Sequence, residues 1–86
     1  MFQPPASLTL PHVRSAYEQG LRAVAGGQTE IDFQAVNAVD SSAVAALLGW
    51  KRVAAAGGKT LRFHHLPAGL TSLIALYGVA DIIDAA

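Results

Sequence analysis

The chain has no cysteine, little charge and few aromatic side chains. Without cysteine there is no disulfide framework, no thiol nucleophile and no Cys-based zinc site. That composition fits a cytosolic protein and is compatible with any compartment. Six Lys and Arg balance six Asp and Glu, so the formal charge is zero. Phosphate binding relies on clustered cations, and the only basic cluster is Lys51-Arg52, followed by Lys59 and Arg62. No nucleic-acid partner is expected. No apolar run approaches the roughly 20 residues of a membrane span. The segment "MFQPPASLTLP" has no basic n-region and carries prolines at positions 4 and 5, unlike a signal peptide. Direct membrane insertion is therefore not expected.

Enzyme signatures are missing as well. Neither Gly26-Gly27 nor Gly57-Gly58 has the spacing of a GxGxxG fingerprint or the Lys-Ser/Thr that completes a P-loop. Ser41 and Ser42 do not sit in a GxSxG elbow. His64 or His65 with Asp40 could be imagined as triad partners, but no spacing favours it. Adjacent strand residues face opposite ways, so His64 and His65 do not readily share a metal. No catalytic residue, metal site or cofactor is expected.

What is present is a single domain over residues 1–86, 52% hydrophobic and 14% charged, with no internal repeat. "SLTL" (7–10) is a short strand candidate ahead of Pro11, which is tolerated in a first helical turn. Val13, Ala16, Tyr17, Leu21 and Val24 recur at helical spacing, predicting an amphipathic helix over 12–25 that ends at Gly26-Gly27. "TEIDFQAV" (29–36) alternates as a strand, and 37–40 reads as a loop. A second helix is expected over 42–56, with Val44, Leu47 and Leu48 on its apolar stripe and Gly57-Gly58 as its stop. "KTLRFHH" (59–65) is the next strand. Pro67 opens a helix over about 67–77 whose stripe includes Leu70, Leu73, Ile74 and Tyr77, and a short strand or helix closes the chain. Strands alternating with helices predict right-handed crossovers, a mostly parallel or mixed sheet, and one face covered better than the other.

The densest polar cluster is Asp40-Ser41-Ser42, with Asn37 close by, where a β-like run meets the second helix. Asp and Ser are preferred N-caps, and an acid there offsets the helix dipole. One such residue would be enough for capping. A serine at a helix N-terminus is also a place where a phosphate would be stabilised, so the cluster suits a recognition point or a phosphoswitch. Trp50 lies off the Val44-Leu47-Leu48 stripe or on its border. It could cover the sheet edge, or stand partly exposed beside Lys51 and Arg52 as an interface hot spot. Lys51-Arg52 near the helix end would also balance the dipole.

A strand ending in "VDSS", a small and aliphatic helix, then "AAAGGKTLRFHHLPAGLTSLIALYGVADII", resembles the STAS domain from Leu8 to Ile83. The resemblance implies an α/β fold with about four strands and three to four helices, and a non-enzymatic protein-binding role. Two branches of the family match. Anti-sigma factor antagonists carry a serine after the aspartate that a partner serine kinase, the anti-sigma factor, phosphorylates. That position is Ser41, although those proteins continue with glycine where this chain has Ala43. The small STAS subunit of Mla-type ABC transporters, which move phospholipids between the membranes of Gram-negative bacteria, has a Ser or Thr there too and binds the transporter's ATPase subunit. The short leader and alanine-rich character are closer to this second branch, which implies a cytoplasmic protein at the inner-membrane face. The resemblance points to Asp40, Ser41 and Ser42 as the partner-binding or phosphoacceptor residues. Ala45, Leu48, Gly49, Trp50 and Arg52 follow as weaker interface candidates. A plain dimerisation or scaffold domain is the alternative of another class.

Overall fold

The computed structural model describes residues 1–84. In chain order they form β1 (Ser7–Leu8), α1 (Leu10–Ala25), β2 (Glu30–Asp32), β3 (Ala38–Val39), α2 (Ser41–Ala56), β4 (Arg62–His64), α3 (Ala68–Leu76) and α4 (Ala80–Asp84). This is the expected small α/β domain. Its strand pairs are all parallel: β1 with β3, and β2 with β4 in the register Glu30–Arg62, Ile31–Phe63 and Asp32–His64. Phe2 bridges Ile31 on the other side of β2. The N-terminal stretch thus runs beside β2 at its start and beside β3 at its end.

The alternation over 29–36 predicts one continuous strand, and the structure corrects this. The strand stops at Asp32 because the carboxylate of that residue accepts the Gln34 N–H at 2.9 Å. Asp is suited to this local turn. The Val36 N–H then closes on the Phe33 carbonyl at 2.9 Å. After the turn the chain extends again as Ala38–Val39, within the segment read as a loop. Pro11 sits in the first turn of α1, which begins at Leu10 rather than His12. The final element is a helix, and Ala85 and Ala86 lie outside the described residues.

Leu8, Ile31, Phe33, Leu47, Leu61 and Leu70 form the fully buried core, with Trp50 at its centre. The indole is 0% exposed and stacks on Tyr17 with ring centroids 6.0 Å apart. Phe2 meets it edge-on at 5.8 Å. Its Nε1–H donates to the Tyr17 carbonyl at 3.0 Å. A buried N–H needs such a partner, because leaving it unpaired costs about 1–3 kcal/mol. The reading of Trp50 as a partly exposed interface residue is therefore corrected. At i+3 from Leu47 the ring continues the buried stripe toward α1 instead of standing off it.

Two glycines let α1 approach α2 this closely. A Cβ on Gly20 would lie 2.4 Å from Trp50 ring atoms, and one on Gly49 would lie 2.3 Å from the Tyr17 hydroxyl oxygen. Gly49 thus has a packing role, leaving room for Tyr17 of α1.

Candidate functional site

The N-terminus of α2 is held by Asp40, which stands as N-cap in extended conformation (φ −142°, ψ −169°). Its Oδ1 accepts the Ser42 N–H at 2.9 Å and also the Ser42 hydroxyl. Its Oδ2 accepts the Leu10 N–H at 2.8 Å. One carboxylate thus satisfies orphan N–H groups at the starts of both long helices. The Ser42 hydroxyl, and then the Leu10 N–H, hold the Asp40 carboxyl below its ordinary range; burial opposes them and loses. Asp40 and Ser42 are therefore occupied with the fold.

Ser41 is not. It is exposed, and its Oγ lies 2.6 Å from the hydroxyl of Tyr77 at the end of α3. The helical spacing assigned Tyr77 to the apolar stripe of α3. The structure places it past the last turn, 51% exposed, with its hydroxyl on Ser41. Nothing in the local sequence signals this pairing, which spans 36 positions. Leu10, at the start of α1, is 73% exposed and Leu76, beside Tyr77 at the end of α3, is 75% exposed.

The weaker candidates divide. Ala45 is exposed one turn beyond Ser41, whereas Leu48 is half-buried and Arg52 exposed farther along α2. Lys51 does not act at the helix C-terminus. Its Nζ donates to the Leu61 carbonyl at 2.5 Å and sits 5.3 Å over the Phe63 ring.

The histidines each take a separate carboxylate from β2. His64 Nε2 is 2.7 Å from Glu30 Oε1, and His65 Nδ1 is 2.9 Å from Asp32 Oδ1. Chain proximity could not show these partners, which the parallel register supplies. His65 adopts a left-handed φ of 59°, which turns its ring back toward Asp32. The His65 hydrogen bond holds the Asp32 carboxyl below its ordinary range, against the opposing effect of its burial. With Asp40 bound to Ser42 and Leu10, and both histidines bonded to the β2 carboxylates Glu30 and Asp32, the imagined triad does not assemble. Among the described residues no three metal-ligating side chains converge.

A family model described as "Mlab, STAS domain" matches residues 6–84. No curated protein matches this chain. The matched span takes in every element from β1 to α4, including the Asp40-Ser41-Ser42 start of α2 and the Tyr77 that meets it. The chain accordingly belongs to the STAS domain family.

Proposed function

We propose that this STAS domain is a non-catalytic module that docks on the ATPase subunit of an Mla-type ABC transporter through the N-terminus of α2, supporting or regulating phospholipid transport. The observation that carries this reading is the exposed Ser41 hydroxyl on the exposed Tyr77, at the helix start where Asp40 also holds the backbone of the exposed Leu10. Tyrosine is among the residues enriched at interaction hot spots, and Tyr77 stands 51% exposed beside Ser41. The description of the family model, which names Mlab, favours the transporter branch. Docking would change ATPase activity only if the module bound the subunit's conformational states with different affinities.

In the antagonist reading a partner kinase would phosphorylate Ser41, and the phosphate would displace the Tyr77 contact. The alanine in place of the usual glycine does not separate the two readings. Ala43 is fully buried, so its methyl faces the core and not the docking surface.

Affinity capture from native membranes with wild type and Ser41→Glu tests the proposal. The expected result is an ABC ATPase recovered by the wild type and lost by the variant, because a fixed negative charge and a longer side chain replace the neutral hydroxyl at the contact. Recovery of a soluble kinase-like ATPase, with phosphate on Ser41 by mass spectrometry, would establish the antagonist instead. If neither partner appears and the variant behaves as wild type, both readings fail and a plain scaffold remains.

A further inference from the structure

Three of the six basic side chains gather away from Ser41, at a cleft of about 510 Å³ between the second half of α2, the approach to β4, and α4. Leu48, Leu61 and Ile82 give it an apolar floor, and Lys51, Arg52 and Lys59 line it with no acidic residue among the lining side chains. Ile82 is 57% exposed there, on a helix of five residues. The described lining residues that carry charge are thus all cationic.

The cations do not converge on one point. The Lys51 ammonium is turned to the Leu61 carbonyl and the Phe63 ring, where it fixes the wall of the cleft. The Lys59 Nζ reaches toward the end of α1, 3.7 Å from where a Cβ on Gly27 would stand. Arg52 projects from α2, and neither it nor Lys59 forms an ion pair among the described residues. Two separated positive charges along an apolar floor do not make a cage for a compact phosphate. They match an extended chain with spaced carboxylates and an apolar side chain between them.

We propose that this cleft binds an acidic, leucine-containing segment of a partner protein, with carboxylates on Arg52 and Lys59 and an apolar side chain on Leu48, Leu61 and Ile82. The site is separate from the α2 N-terminus. Arg52 lies 11 positions beyond Ser41, about 16 Å along the helix at 1.5 Å per residue.

Titration of the isotope-labelled chain with a soluble peptide of alternating glutamate and leucine, followed by amide NMR shifts, tests the proposal. Saturable shifts at Arg52, Lys59 and Ile82 are expected, sparing Asp40 and Ser41. Binding should weaken at least tenfold in an Arg52→Glu/Lys59→Glu variant, whose fold is checked by circular dichroism. A glutamine–leucine peptide should bind at least tenfold more weakly than the acidic one. Ser41→Glu should leave the titration unchanged, so the outcome does not depend on the transporter reading. Absence of shifts at the cleft, or equal binding of the neutral peptide, overturns the proposal. So does the same response to inorganic phosphate, or a response only to phosphatidylglycerol vesicles.

Discussion

Replacing Gly20 by alanine puts two effects of opposite sign on one methyl group. An alanine in a helix interior is favoured over glycine by about 1 kcal/mol. Against this, the new Cβ would lie 2.4 Å from Cε2 and Nε1 of Trp50. Ordinary carbon contacts begin near 3.5 Å, so the ring or the helix must move by about an ångström. The indole has little freedom to do so. It is 0% exposed, bonded through Nε1 to the Tyr17 carbonyl, and enclosed by Phe2, Tyr17 and Phe33. Overpacking of a tight core costs about 1–3 kcal/mol, and the rigidity of this site argues for the upper end. The net expectation is a loss of about 2 kcal/mol. With a urea slope of about 1 kcal/mol/M for a small domain, the midpoint should fall by about 2 M. The thermal midpoint should fall by roughly 8–16 °C. Far-UV circular dichroism in a urea series measures this without relying on the perturbed tryptophan. Gly49→Ala is the control. Its Cβ would lie 2.3 Å from the Tyr17 hydroxyl oxygen and 2.6 Å from Cε1, so it should destabilise too, but by less, because Tyr17 is half-buried where Trp50 is fully enclosed. A Gly20→Ala protein as stable as wild type, or more stable, would refute the close-packing account of the two helices.

Trp50 should emit at short wavelength and resist quenching by iodide in the native chain; a red-shifted, readily quenched emission would return it to the surface. Ser41→Ala and Tyr77→Phe break only an exposed hydrogen bond, so each should change stability by less than about 0.5 kcal/mol. Thermal melts check this, and a larger loss would make the pair structural. Asp40 and Asp32 both have lowered folded-state values. Their stabilising effect is therefore fully present above the unfolded carboxylate value of about 3.9 and lost as pH falls through the folded values. Asp40→Asn should flatten the decline in urea stability below about pH 4. An unchanged acid limb would contradict the role given to its hydrogen bonds.

The helices were legible in the sequence because their signals are local. Apolar spacing, Pro11 and Pro67 at helix starts, Gly26-Gly27 and Gly57-Gly58 at helix ends, and Asp40 as a cap all act within a turn or two. The end of β2 at Asp32 leaves no mark in the sequence pattern, since period-2 alternation runs on unchanged through a turn made by one side chain. The polar cluster at Asp40-Ser41-Ser42 was visible as more than capping requires, but its division of labour was not. Only the packing of α1 against α2 assigns Asp40 and Ser42 to the fold, through Leu10. Only the return of α3 gives Ser41 the hydroxyl of Tyr77. The same holds for His64 and His65, whose carboxylates come from a strand paired in parallel. By itself the sequence determined an α/β chain with a capped serine at the start of its second long helix. Tertiary structure decided which of those polar groups remain available to a partner, because hydrogen bonds between residues 30 or more positions apart leave no periodic trace along the chain.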